Sequence, residues 1–182
     1  DKIFLDLFAA PASNSFLKKE ELDGQEPYYP LVVYFCEECF LVQVPESKSA
    51  SEIFNSEYVY FSSVSEAFVA HAKKYVSEIV ETLNLNDRSF VVEAASNDGY
   101  LLQFFKEKLI PCIGVEPSGS TAKVAVEKGV DTLVAFFGVE TANSVVSKKG
   151  HADLFIGNNV IAHVPDLADF IGGIERLLKP KG

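Results

Sequence analysis

Apolar and polar positions divide the chain into two regimes. Residues 1 to about 64 carry short apolar runs, "LVVYF" and "FLVQV" among them, punctuated by Pro11, Pro27, Pro30 and Pro45. Short runs between turn residues predict strands and turns, not long helices. From Ser63 the period changes. Phe68, His71, Tyr75, Ile79 and Leu83 recur at spacings of three and four, with Val76 and Val80 beside them. That stripe predicts one amphipathic helix ending near "NLND". Ser63, with Glu66 three residues on, fits a capping box at its start.

The chain then alternates. "SFVVEA", "CIGVE", "DTLVAFF" and "DLFIGNN" read as strands. "GYLLQFFKEKL", "STAKVAVEK", "VETANSVVSKK" and "DLADFIGGIERLL" read as the helices that follow them, with Gly129 and Gly150 as stops. The strands are apolar without alternation, so both faces of the sheet are covered. Four strand–helix units of this kind predict a doubly wound α/β fold with a mainly parallel sheet. The expected organisation is a small N-terminal strand-and-turn lobe at 1–64 and an α/β core at 65–182.

In such a sheet the ligand lies at the carboxyl ends of the strands. The first strand ends at Glu93 and runs into "AASNDG"; the second ends at Glu116, 17 residues after Gly99. An acid there can accept hydrogen bonds from both hydroxyls of a ribose. The third ends at Phe136 and Phe137, apolar surfaces able to flank an adenine, and the fourth at "NNVIAHVPD". A nicotinamide-binding fingerprint needs three glycines, and "ASNDGY" offers one.

Net charge narrows the partners. At −10 the chain is not built for nucleic acid, which normally meets a basic face. No apolar run approaches the roughly 18–20 residues that span a membrane. The three cysteines form no disulfide framework, so a reduced, cytoplasmic setting is expected. The sequence has no Met, and its closing "LLKPKG" reads as the lead-in to another strand. A longer chain, truncated here at both ends, is the expectation, with a homodimer or partner covering the open sheet edge.

"PASNSFL", "YYPL", "CEEC", "YVYFSSVS", "SNDGYLLQFF", "GVEPS", "NNVIAHVPDL" and "LLKPKG" together carry a resemblance. In this order they resemble the class I S-adenosylmethionine-dependent methyltransferases, in particular the C-methyltransferases of nucleotide-linked deoxysugars. The resemblance spans nearly the whole chain. It implies that Glu93, Ala95, Ser96, Asn97, Asp98 and Gly99 wrap the methionine end of the cofactor. It implies that Glu116, with Pro117 and Ser118, holds the ribose, that Phe136 and Phe137 lie near the adenine, and that Asn158, Asn159 and Val160 line the methyl-donor side.

The family usually has glycine where this chain has Ala95, and a Cβ there narrows the approach of backbone to ligand. Asn97 sits where left-handed backbone is tolerated better than by other non-glycine residues. The alternatives are a cofactor-binding fragment without turnover and a non-catalytic interaction domain on the same fold.

Methylating a carbon beside a ketone requires a base and a group that steadies the enolate oxygen. His163, after the fourth strand, and Tyr60, in "YVYFSSVS", are the candidates, with His71 third if its stripe borders the site; the competing readings are a backbone-bonded loop histidine and a core histidine. Tyr58 reads as packing and His151 as surface. "YFCEECFLVQV" sets Cys36 and Cys39 on a tight turn between strand-like runs, half of a four-ligand zinc site. In the chain as given, two free thiols are expected. The resemblance implies a second Cys pair upstream, and so a filled zinc site in the full-length protein. Cys112, at the start of a buried strand, reads as core.

Overall fold

The computed structural model describes residues 2–182. The chain forms two compact units, Asp1–Ile53 and Phe54–Gly182. Residues 54–64, grouped with the N-terminal lobe by their composition, lie within the second unit.

The first unit is a three-stranded antiparallel sheet in the order β1 (Lys2–Ala10), β2 (Tyr29–Phe35), β3 (Val42–Gln43), followed by a single helical turn, α1 (Ala50–Ile53). Strands β2 and β3 pair as a hairpin with Phe35 opposite Val42, and Cys36 and Cys39 lie in its turn. The Cys36 N–H donates to Leu41 O at 2.9 Å and the Phe40 N–H to Cys36 O at 3.0 Å. Phe40 closes the turn with φ 62°.

The second unit is the α/β core. It begins with α2 (Glu66–Thr82) and continues through β4 (Val91–Ala94), α3 (Leu102–Glu107), β5 (Cys112–Val115), α4 (Gly119–Glu127), β6 (Thr132–Leu133), α5 (Val139–Lys149), β7 (Leu154–Ile156) and α6 (Leu167–Leu177). The four strands form a parallel sheet in the order β6-β5-β4-β7. Successive crossovers walk outward from β4 to β6, and the chain then returns to place β7 on the other side of β4. The strand order therefore reverses between β4 and β7, where open α/β sheets leave a crevice.

Alternation within β4 assigns the two faces. Val91 points into a cluster with Ala72 and Val76 of α2 and Leu102 and Phe105 of α3. Val92 points the opposite way, into a cluster with Ala142 and Val145 of α5 and Leu177 of α6. Each fully buried Val, Leu or Phe contributes about 1.5–3 kcal/mol, so these two layers hold the strand ends in place. Strand β6 is shorter than "DTLVAFF" suggested. Its partner β5 stops at Val115; the next rung after Glu116 N–H to Leu133 O would need the Ser118 N–H, which donates to Glu116 Oε1 instead.

Two expectations for α2 are corrected. Its N-cap is Ser65, whose hydroxyl accepts from Phe68 N–H at 3.3 Å; Ser63 bonds elsewhere. The buried stripe runs through Ala72 and Val76, flanked by Val69, Tyr75, Ile79 and Val80. His71 is exposed, one position off that stripe, so it is not a core histidine.

Candidate functional site

The loop after β4 is compact because three alternate residues adopt left-handed backbone: Ala95 (φ 51°), Asn97 (φ 51°) and Gly99 (φ 74°). Only glycine is unstrained there. At Gly99 a side chain would also press on Ala125 and Val130, at 3.2 Å from each. Gly114 of β5 has the same function for Ser96, whose hydroxyl occupies the space a Cβ at that position would need. Glycines thus let the loop fold down onto the sheet, and of residues 95–99 only Ala95 is exposed.

The loop is held by carboxylates. Glu116, 3% exposed, accepts the Asn97 N–H on Oε2 at 2.8 Å and the Ser118 N–H on Oε1 at 2.9 Å. Asp98, fully buried, pairs with Lys128 Nζ at 3.0 Å and accepts the Ser63 N–H at 3.3 Å. The Ser63 hydroxyl donates to the same Asp98 oxygen. Lys128 Nζ also reaches Asp98 O and Ser63 Oγ, each at 3.0 Å.

Glu93, 1% exposed, completes a trio of buried acids with Asp98 and Glu116. Burial pushes its carboxyl well above the usual range, and the neighbouring charges of Glu116 and Asp98 push the same way. Burial also raises Glu116, opposed by the amides of Ser118 and Asn97. Three buried oxygens in this cluster have no protein partner: Glu93 Oε2, Ser96 Oγ and Asp98 Oδ1. Buried polar atoms are normally paired, and leaving one unmade costs about 1–3 kcal/mol. Ser96 Oγ is turned down onto Gly114, but a ligand with positive charge and hydrogen-bond donors would answer the two carboxylate oxygens, Glu93 Oε2 and Asp98 Oδ1. S-adenosylmethionine, which carries a sulfonium and an ammonium, fits that donor requirement.

Tyr100 belongs to the same place, and the sequence reading missed it. It follows Gly99, is 5% exposed, and stacks on Phe68 at 4.9 Å. Burial first, then Glu93, hold its phenol above the ordinary range, opposed by a hydrogen bond with the Asn158 side chain. The Tyr60 phenol adds a smaller upward push. Glu93, Asn158 and Tyr60 thus each act on the Tyr100 phenol, and Tyr60 itself is half exposed. Tyr75 lies within reach too, its phenol raised by burial and by Glu93. An aromatic polar residue directly after the loop's glycine was the available signal.

Phe136 is exposed, while the Phe137 ring packs against Phe155 at 4.8 Å and Phe170 at 5.3 Å. Asn159 has φ 55° in the loop after β7, with Val160 leading into a short 3-10 turn, Ile161–His163. His163 is exposed at the end of that turn. Pro117 precedes Ser118, the N-cap position of α4. In the hairpin turn, amides of Cys39 and Glu38 lower the Cys36 thiol. Among the described residues no group of three or more His, Cys, Asp or Glu is arranged to hold a metal ion. Nor is any helix long and apolar enough to cross a membrane.

Residues 1–54 match a family described as "Putative zinc binding domain", and residues 68–182 match one described as "Methyltransferase domain". The chain is 32% identical over 174 residues to the C-methyltransferase NovU of Streptomyces niveus, covering 96% of this chain and 41% of that protein. It thus spans about two fifths of the length of that curated relative. A solved S-adenosylmethionine-dependent methyltransferase from Anabaena variabilis shares the fold, with a TM-score of 0.50 at 18% identity over 60% of this chain and 48% of the other. The methyltransferase-domain match covers more than half of the residues, and the chain belongs to the methyltransferase-domain family.

Proposed function

We propose that this chain forms the cofactor-binding part of an S-adenosylmethionine-dependent methyltransferase acting on a carbon of a nucleotide-linked deoxy-ketosugar. The observation that carries the cofactor reading is the pair of unpartnered buried carboxylate oxygens, Glu93 Oε2 and Asp98 Oδ1, after β4. Carbon as the acceptor is supported by the 32% identity to a C-methyltransferase. The sugar is supported by the ordered motifs shared with sugar C-methyltransferases.

When bound, S-adenosylmethionine supplies an electrophilic methyl group whose departing thioether needs no protonation. Glu93 and Asp98 would hold its amino-acid end, and Glu116 its ribose, using the lone pairs that the Asn97 and Ser118 amides leave free. Phe136, the exposed member of its pair, would cover the adenine. Asn158, Asn159 and Val160 would border the donor methyl.

The chain's own chemistry toward the acceptor is proton removal. Tyr60, half exposed and within electrostatic reach of the Tyr100 phenol, would act as its phenolate to take the proton from the carbon next to the ketone. Tyr100 and Asn158 would offer a phenol and an amide to steady the enolate oxygen. His163, exposed after the β7 loop, is the second choice of base.

The test is methyl transfer by the full-length protein from methyl-labelled S-adenosylmethionine to a nucleotide-linked ketosugar. A new carbon-bound methyl resonance supports the reading. Label appearing only on nitrogen or oxygen would refute the carbon assignment.

A further inference from the structure

Between Phe54 and Ser63 the chain runs as a strap, with Ser62 buried. It is tied down through its main chain by side chains from the loop after β4 and from the start of α4. Ser118 Oγ donates to Asn55 O at 2.9 Å, and Ser120 Oγ to Tyr58 O at 2.7 Å. Asn97 Nδ2 donates to Tyr60 O at 2.9 Å, and Asn97 Oδ1 accepts the Ser62 N–H at 2.9 Å. One side-chain amide therefore grips the strap on both sides of Phe61, immediately next to Tyr60. The backbone N–H of the same residue donates to Glu116 Oε2.

We infer that Asn97 is a positioning residue that couples Glu116 to the strap carrying Tyr60. The geometry gives the reason for Asn over Gly at this left-handed position. A glycine would relieve the backbone but offer no amide, whereas Asn both tolerates φ 51° and brings a donor and an acceptor. Because the grip is on main-chain atoms, the half-exposed Tyr60 side chain takes no part in it. Any ligand that draws on Glu116 stiffens the Asn97 amide bonded to it, and through the side chain steadies the strap. The ligand part of this inference rests on the functional reading above; the clasp does not.

The test is amide hydrogen exchange at Ser62, with and without S-adenosylhomocysteine, in the wild-type chain, Asn97→Gly and Asn97→Asp. Without ligand, Asn97→Gly is expected to speed Ser62 exchange about tenfold while β4 amides stay protected. Asn97→Asp keeps the acceptor for Ser62 but turns a carboxylate oxygen on Tyr60 O beside the buried acids, so its Ser62 exchange should fall between wild type and Asn97→Gly. Saturating ligand should slow Ser62 exchange further in wild type and leave Asn97→Gly unchanged. Unaltered Ser62 exchange in Asn97→Gly overturns the clasp, as does an equal loss in both variants; should Asn97→Gly fail to fold, Ser62 exchange sped by about tenfold or more in a folded Asn97→Asp overturns it alone. Calorimetry of wild type with the same ligand separates the two claims. No binding there defeats the functional reading, and the ligand-free comparison still judges the clasp.

Discussion

Lys128 Nζ lies 3.0 Å from Asp98 Oδ2, and it is the cation paired with this buried acid of the loop. Its side chain is 30% exposed and that of Asp98 1%, so the partner that would be stranded is the carboxylate. Removing one member of a buried pair leaves an uncompensated charge, which costs more than the pair contributes. Lys128→Met is expected to destabilise the chain by about 3 kcal/mol, read as a lower urea midpoint. Asp98→Asn in the same background should restore part of that loss. A loss below about 0.5 kcal/mol, as for an exposed pair, would show that water already screens Asp98.

Ala95 adopts φ 51° with an exposed side chain at the mouth of the loop. Left-handed backbone costs an L-residue roughly 1–2 kcal/mol, and glycine's greater freedom when unfolded returns part of that. Ala95→Gly should therefore stabilise by about 0.5–1 kcal/mol and should not weaken S-adenosylhomocysteine. Thermal melting and calorimetry check the two halves separately. A lower melting temperature would mean that the alanine methyl packs usefully.

Glu93 sets a pH dependence. Its folded-state pKa is raised, so the folded chain binds this proton more tightly than the unfolded chain. The resulting stability is complete below the ordinary value of 4.5 and is lost as pH rises toward and through the folded value. Glu93→Gln removes the ionisation. Its melting temperature should exceed wild type by about 2–4 °C at pH 7.5, the shift roughly 1 kcal/mol gives at this size, and the difference should shrink toward pH 4.5. An equal difference at both pH values would assign the effect to packing.

The thiols should separate by reactivity. Cys36 and Cys39 sit in the hairpin turn, and the surrounding amides lower the Cys36 thiol. Burial pushes Cys112 up to about 11, with Glu93 and Asp131 adding to it. Reaction follows the thiolate. At pH 7.5 an aromatic disulfide reagent should modify Cys36 fast and Cys112 slowly, by peptide mapping, and added zinc should protect only the hairpin pair. Equal rates at Cys36 and Cys112 would contradict this arrangement.

Much of the core was legible because its signals are local. The four strand–helix units follow from apolar runs and glycine stops, and the carboxyl-end rule led to Glu93, the 95–99 loop and Glu116. What escaped depended on contacts remote in sequence. Ser63 looked like a helix cap, yet Asp98 and Lys128 claim it across 35 and 65 residues. His71 fits a stripe by spacing, but the sheet meets α2 along Ala72 and Val76. Tyr100 reads as an ordinary aromatic until Phe68 stacks on it and Glu93 lies below. Phe136 and Phe137 are equivalent on paper, and the aromatic cluster with Phe155 and Phe170 separates them.

Glu116→Ala would be an ambiguous probe of the cofactor site, since it also removes the acceptor of two loop amides. The wild-type chain is the cleaner one. Titration calorimetry with S-adenosylmethionine, S-adenosylhomocysteine and NAD tests the central claim directly. The account predicts that the first two bind with one-to-one stoichiometry and that NAD gives no heat. Binding of NAD, or no binding of either sulfur compound, would contradict it.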